Sequence, residues 1–269
     1  MRSLVKFFDI FLNSSTLDRK LRLAIKNKDF FIAYQPKFDI KKNKITSYEA
    51  LLRCNPSQDF VLPKDIIFFA EKTGLILPLG EWIIETVCRD IFMLLDSGAL
   101  PLNGRVAINL SVKQLNNLGT VERIIDIVRR SRVNPKNIEF EITETVLMDN
   151  IERSIDYLNM LKAFGVTLTI DDFGTGYSSL SYLKKLPIDY LKVDQSFVDG
   201  LPDDTNDMEI TSAIIVMSHR LGLLVIAEGV ENQSQFDFLK DNHCDMVQGY
   251  LFGRGQSVDD VVSRLNSEL

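Results

Sequence analysis

The sequence is poor in cysteine, histidine and tryptophan, has no excess of positive charge and contains no long uninterrupted apolar run. Its three cysteines, Cys54, Cys88 and Cys244, are odd in number, far apart and without a CxxC pair. That argues against a disulfide framework or a thiolate zinc site. With only His219 and His243 present, an imidazole-rich metal centre is not expected either. Lys and Arg number 31 against 37 Asp and Glu, a formal net charge of −6. The basic excess needed to bind duplex nucleic acid is therefore missing, and a phosphate ligand would need cations to mediate the contact. No stretch reaches the roughly 18 uncharged apolar residues that span a bilayer. In the opening MRSLVKFFDIFLNSS, Lys6 and Asp9 interrupt the apolar run and no small-residue cleavage site follows, so it does not read as a signal peptide. The expectation is a cytoplasmic protein without membrane association.

Apolar residues make up 45% of the 269 and charged residues 25%, the proportions of an ordinary globular protein rather than a disordered or collagen-like one. At roughly 150 residues per domain the length allows one or two domains, and an α/β barrel uses about all of it.

Leu4, Phe7, Phe8, Phe11 and Leu12 recur at helical spacing, which predicts an amphipathic helix packed on the main domain or on a partner. A membrane-surface helix fits less well, because the polar face carries both Lys6 and Asp9. The polar run 13–16 supplies turn chemistry and a cap for a second helix over 17–26. Two β-rich runs, 30–40 and 45–54, flank Lys41-Lys42-Asn43-Lys44 and read as an antiparallel hairpin. A helical region follows, with Pro63 placed to start one helix and a longer helix over 79–96. Strands are then predicted over 105–111, 138–143, 167–172, 190–195, 223–227 and 246–250. Helices are predicted over 121–132, 151–164, 179–185, 207–221, 233–242 and 258–266. Such alternation requires a mainly parallel sheet. With the hairpin there are eight strands, which suit a closed barrel; an open doubly wound sheet is the competitor. No repeat or linker divides the chain, so one barrel domain over 17–269 is expected, preceded by an extension over 1–16.

In such a barrel, strand interiors are buried and function collects at the C-terminal strand ends. Here those ends carry Glu49, Asn109, Glu141 with Glu144, Asp171 with Asp172, Lys192 with Asp194, Glu228 with Glu231, and Gln248. An unpaired carboxylate in an apolar strand costs several kcal/mol on burial, so it must meet a cation or strong donors. Six strands delivering such groups to one mouth require metal, and hard oxygen ligands suit Mg²⁺ or Mn²⁺ rather than zinc. The adjacent pair Asp171-Asp172 can bridge two ions, the arrangement of two-metal phosphoester hydrolysis. Lys192 within a buried strand either neutralises these acids or orients water and stabilises phosphate charge. The 172–179 segment, with Gly174 and Gly176, reads as a flexible β-α turn or as a phosphate loop at a helix start. Arg53 can fork onto a phosphate or pair with a rim acid. His219, near a helix C-terminus, reads as a cap, and Met148 and Met160 as core packing.

Together these strings resemble the EAL-domain family of bacterial cyclic di-GMP phosphodiesterases. The likeness runs from about Leu17 to Gln256. Besides Glu49-Ala50-Leu51 it rests on Tyr34-Gln35-Pro36, Thr73-Gly74-Leu75-Ile76, Asn109-Leu110-Ser111, Glu141-Ile142-Thr143-Glu144, the 171–179 segment, Leu191-Lys192-Val193-Asp194, Ala227-Glu228-Gly229-Val230-Glu231 and Gln248-Gly249-Tyr250. The resemblance implies a (β/α)8 TIM-like barrel with one antiparallel strand, hydrolysing one bond of cyclic di-GMP to give linear pGpG. It implies that Glu49, Asn109, Glu141 and Asp171 hold one Mg²⁺ or Mn²⁺ ion, and that Asp171, Asp172 and Glu228 hold a second. Lys192 would contact the attacking water and Glu228 would double as general base. Arg53, Gln35 and Leu52 would line the substrate site with Gln248 and Glu231. Glu144 would brace the loop holding Gly174, Thr175 and Gly176, and Asp194 would order the ligands. A homodimer formed near that loop is implied as well.

Three positions depart from the family pattern. Cys54 follows the arginine where an aromatic is usual, Phe68 replaces a proline, and Gly253-Arg254-Gly255 lacks the usual Arg-Pro. None removes a metal ligand. The alternative function is a non-hydrolysing regulator that binds cyclic di-GMP, or that binds a protein partner through the N-terminal helix.

Overall fold

The computed structural model describes residues 21–24, 27, 29–54, 63–143, 151–174 and 183–268. The extension over 1–16, with the amphipathic helix expected at its start, lies outside these residues, as does most of the helix expected over 179–185. Residues 21–24 are helical, with Leu21 and Ala24 buried.

Eight strands close a barrel in chain order: β1 (Phe30–Asp39), β2 (Lys44–Cys54), β3 (Arg105–Leu110), β4 (Ile138–Thr143), β5 (Thr167–Phe173), β6 (Tyr190–Val193), β7 (Leu224–Ala227) and β8 (Met246–Gln248). Strand β1 is antiparallel to both neighbours, β2 and β8, and the remaining pairs are parallel. Closure removes the open-sheet alternative. Around the barrel lie α1 (Pro63–Thr73), α2 (Ile76–Asp96), α3 (Val112–Leu115), α4 (Leu118–Ser131), α5 (Ile151–Phe164), α6 (Thr205–Arg220), α7 (Gln233–Asp241) and α8 (Val258–Glu268).

Each strand alternates, and the two sides differ in chemistry. Outward residues such as Val106, Ile108, Phe140, Ile142, Leu168, Ile170, Leu191, Val193, Val225 and Val247 join one apolar core with the helices. Fully buried Leu79, Ile84, Ile91 and Leu94 of α2 complete it, each contributing about 1.5–3 kcal/mol relative to exposure. Inward residues are mostly polar: Lys37, Glu49, Glu139, Glu141, Thr169, Asp171, Lys192 and Gln248 are all buried. Among the described residues, Tyr190, Ile226 and Met246 form a small apolar cluster inside. The usual barrel interior is layers of branched apolar side chains; here charge occupies the axis.

Local chemistry sets the ends of the elements. Strand β6 stops at Val193, two residues short of expectation, because the Asp194 carboxylate accepts the Ser196 N–H and opens a 3-10 turn over Gln195–Phe197. Helix α3, absent from the sequence reading, is a single turn closed by a Ser111–Gln114 capping box. Asp204 caps α6 by accepting the Asn206 and Asp207 N–H groups. His219 does not act as a helix cap: its Nε2 lies 2.9 Å from Asp245 Oδ2, tying α6 to the start of β8. Cys54, Cys88 and Cys244 are unpaired. Burial pushes the Cys244 thiol up to about 12. Among the described residues no helix is long and apolar enough to cross a membrane.

Candidate active site

The parallel strands deliver their inward C-terminal residues to one mouth. Glu49 comes from β2, Asn109 from β3, Glu141 from β4, Asp171 from β5 and Lys192 from β6. Glu228 follows β7, its N–H donating to the Val193 carbonyl at 3.1 Å. Lys192 Nζ is the hub, 2.7 Å from Glu228 Oε1, 3.0 Å from Asp171 Oδ1, 3.1 Å from Glu141 Oε2 and 3.7 Å from Glu49 Oε2. Glu49 is held from both sides, accepting Asn109 Nδ2 at 2.8 Å and Gln248 Nε2 at 2.6 Å. The Gln248 amide also reaches Gln35 Oε1 at 3.3 Å.

Asp171 and Asp172 are neighbours, and in a regular strand their side chains would face opposite ways. The β5–β6 register shifts between Ile170 and Phe173, and Asp172 takes φ 53°. This left-handed conformation is one that Asp tolerates better than most residues. The bulge brings both carboxylates to the mouth: oxygens of Asp171, Asp172 and Glu228 lie within 4.8 Å of one another.

The electrostatics follow from burial and crowding. Burial, with the charges of Asp171 and Glu49, lifts Glu228 to about 7 against the pull of Lys192. Burial and the Asp171 charge lift Asp172 to about 6. Burial also pushes Glu141 up, against Lys192 and Lys37. Glu49 is held low despite its burial by Lys192 and Lys37 and by its two amide donors. Lys192 stays an ammonium, because its four carboxylate neighbours outweigh the desolvation that would discharge it. Among the described residues five carboxylates thus crowd around Lys192, with Lys37 behind Glu141, an all-oxygen donor set with more negative than positive charge. That set fits hard divalent cations.

Two clefts meet at Asp171. One, about 470 Å³, is largely apolar and runs past Leu52, Ile67, Ile83 and Val112 to Asn109 and Asp172, with Arg53 and Glu71 as charged groups. The other, about 450 Å³, is polar and lined by Gln35, Glu49, Gln195, Glu228, Glu231, Gln248 and Tyr250. The site can therefore take an extended ligand with a polar centre beside the carboxylates and a flat apolar part in the first cleft.

The structure brings together Glu49, Asn109, Glu141, Asp171, Asp172, Lys192, Glu228 and Gln248, with Gln35 and Glu231 at the rim. Leu52 and Arg53 stand in the apolar cleft, Arg53 Nη1 donating to the Leu52 carbonyl at 2.9 Å. The Asp194 carboxylate is engaged in its turn and reaches the site through its charge on Asp172. Gly174, at φ 101°, ends β5 against the Phe197 ring. Glu144, Thr175 and Gly176 lie outside the described residues. Of the departures from the family pattern, Phe68 is on the exposed side of α1, and Arg254 stacks 3.9 Å from the Tyr250 ring centroid at the rim. Sequence reasoning missed a second charged layer below the mouth. Lys37, Glu139 and Arg105 lie there, joined by contacts of 2.9 and 3.1 Å. Their signal was spacing: Lys37 lies two residues from Gln35, Glu139 two from Glu141, and Arg105 four from Asn109.

A closed eight-stranded α/β barrel with clustered oxygen donors and one lysine at its C-terminal mouth defines a barrel whose acidic end could hold a metal ion. The chain belongs to the EAL domain family, matching it over residues 18–255. It is 43% identical over 235 residues to the Bacillus subtilis signaling protein YkoW, covering 87% of this chain and 29% of that protein. It is 41% identical over 239 residues to the Pseudomonas aeruginosa cyclic di-GMP phosphodiesterase NbdA, covering 88% of this chain and 30% of that one. The chain thus spans under a third of the length of these two relatives. Among solved structures, the PaMucR phosphodiesterase in complex with c-di-GMP superposes with a TM-score of 0.86 at 37% identity, covering 91% of this chain and 99% of that one. The EAL enzyme Bd1971 bound to cAMP and cyclic di-GMP gives 0.89 at 32% identity, covering 97% and 71%.

Proposed function

We propose that this chain is a divalent-metal-dependent phosphodiesterase that hydrolyses cyclic di-GMP to linear pGpG. The observation that carries the reading is the filled carboxylate mouth, open to two clefts, in a chain 37% identical to a phosphodiesterase domain solved with that ligand. Glu49, Asn109, Glu141 and Asp171 would hold one Mg²⁺ or Mn²⁺ ion, and Asp171, Asp172 and Glu228 a second. Bound, the ions would offset phosphate charge and acidify the attacking water.

The chain's own residues do the rest. Lys192 Nζ, locked as an ammonium, donates to the water and to the phosphate oxygens as charge develops. Glu228, an oxygen ligand as well, accepts the water proton at Oε1; a carboxylate lifted to about 7 is matched to that task near neutral pH. The water oxygen bonds to phosphorus, the bond to the ribose 3′ oxygen breaks, and that oxygen takes up the proton that Glu228 received, which returns Glu228 to its carboxylate form. Glu49, fixed by Asn109 and Gln248, keeps the first ion in register with Asp171. Arg53 pairs with the second phosphate, Leu52 packs on a base, and Gln35, Gln248 and Glu231 line the polar side.

The same reading assigns residues 17–269 to the barrel and 1–16 to an extension, with the match over 18–255 in support. It takes the protein as a cytoplasmic homodimer, and the unpaired cysteines suit a reducing compartment. The test is chromatography of cyclic di-GMP incubated with the purified chain and Mg²⁺ or Mn²⁺, with a chelator control. Metal-dependent pGpG is expected; intact substrate from folded protein would overturn the proposal in favour of a ligand-binding regulator.

A further inference from the structure

We infer that Lys37 is a positioning residue for the metal centre: it pins one oxygen of Glu141 from inside the barrel so that the other stays aimed at the mouth. The inference rests on the reading of the mouth as a divalent-cation site.

Lys37 belongs to the antiparallel strand β1, two residues deeper than Gln35, which pairs with Glu49. It is fully buried. Its Nζ donates to Glu141 Oε1 at 2.6 Å and to Glu139 Oε1 at 2.9 Å. The other Glu141 oxygen, Oε2, lies 3.1 Å from Lys192. Each oxygen thus has its own lysine, one below and one at the mouth, and the carboxylate plane has little freedom to turn. Lys37 is itself fixed through Glu139. That residue accepts Thr169 Oγ1 at 2.9 Å and Arg105 Nε at 3.1 Å, and Arg105 in turn donates to Tyr190 Oη at 2.7 Å.

A purely structural role explains this layer poorly. Buried ion pairs are weak stabilisers, and well-packed apolar residues of the same volume do as well or better. The layer makes sense where one carboxylate must keep a fixed orientation. Lys37 and Arg105 balance Glu139 and Glu141, which leaves Lys192 to face Glu49, Asp171 and Glu228. Without Lys37, Glu141 would have Lys192 as its one ion-pair partner among the described residues, and would turn both oxygens toward it. Partners behind a metal ligand set its orientation and typically account for about 10- to 100-fold in metal affinity.

The experiment compares wild type, Lys37→Met and the charge-balanced Lys37→Met/Glu139→Gln as full chains. Mn²⁺ titration calorimetry is paired with thermal denaturation in chelator. Both variants are expected to bind Mn²⁺ about 10- to 100-fold more weakly, with kcat reduced and KM little changed, while the double variant regains most of the thermal stability the single one loses. A folded Lys37→Met with wild-type Mn²⁺ affinity would overturn the inference. So would a double variant that recovers affinity together with stability, or failure of both variants to fold, which would assign Lys37 to the fold alone. A wild-type chain that binds no Mn²⁺ would instead overturn the reading of the mouth, and this inference with it.

Discussion

At the scale of single residues, the mouth gathers more carboxylates than the described lysines beside it can pair. Glu228→Gln keeps the shape of the side chain but removes its charge and its capacity to take a proton. Turnover should fall by at least about 10²-fold with the melting temperature within a few degrees of wild type. Glu49→Ala should be as damaging to rate, because it also strands the Asn109 and Gln248 amides; a wild-type rate in either variant would refute the assignment. Gly249 tests the scaffold instead. A Cβ there would lie 2.0 Å from the Val230 carbonyl oxygen and 2.3 Å from its nitrogen. Gly249→Ala should therefore cost about 3 kcal/mol in denaturant unfolding. The mouth acids were legible in the sequence because carboxylates at the ends of apolar strands demand an explanation. Lys37, Glu139 and Arg105 were not, because a period of two looks the same whether the polar face meets water or a barrel axis.

At the scale of elements, the decisive feature is the bulge in β5. A regular strand would send Asp172 outward toward the helices, and its cluster with Asp171 and Glu228 would lose a carboxylate; the register shift and the left-handed Asp172 place it inward. Adjacent aspartates suggested bridging, but no pattern in the chain announces where a ladder skips. Helix starts rest on local chemistry instead, Asp204 capping α6 and Asn232 capping α7. Asp204→Ala should destabilise α6 by about 1 kcal/mol in thermal unfolding and leave turnover unchanged, because the exposed carboxylate serves the Asn206 and Asp207 N–H groups of its own helix start. A drop in rate with stability unchanged would show that α6 reaches the site.

At the scale of the whole molecule, the proposed function makes the cation a ligand of the folded state. At about 100 times its dissociation constant it should add about 2.7 kcal/mol of stability, roughly 5–10 °C in melting temperature, reversed by chelator. The gain should depend on pH in a definite direction. Asp172 near 6 and Glu228 near 7 hold protons in the metal-free fold that the unfolded chain has already lost. These groups therefore favour the metal-free fold at low pH, and that contribution fades as the pH rises through 7. Cation binding needs them ionised, so the metal-induced rise in melting temperature should grow from about pH 5.5 to 8, with proton release in calorimetry near pH 6.5. A gain that is flat with pH would mean the ions do not compete with these protons.

The sequence by itself determined the β-α order and the oxygen donors at the strand ends. Alternating β and α periods with eight strands leave few closed solutions, and oxygen donors without histidine or paired cysteine specify hard cations. Only the tertiary structure decided which way each polar face points, which carboxylate each lysine serves and how Asp171 and Asp172 come to share one side. Those outcomes depend on barrel closure and strand register, which bring together residues up to about two hundred positions apart, as Gln248 and Glu49 show. Local propensity carries no information about such distant neighbours.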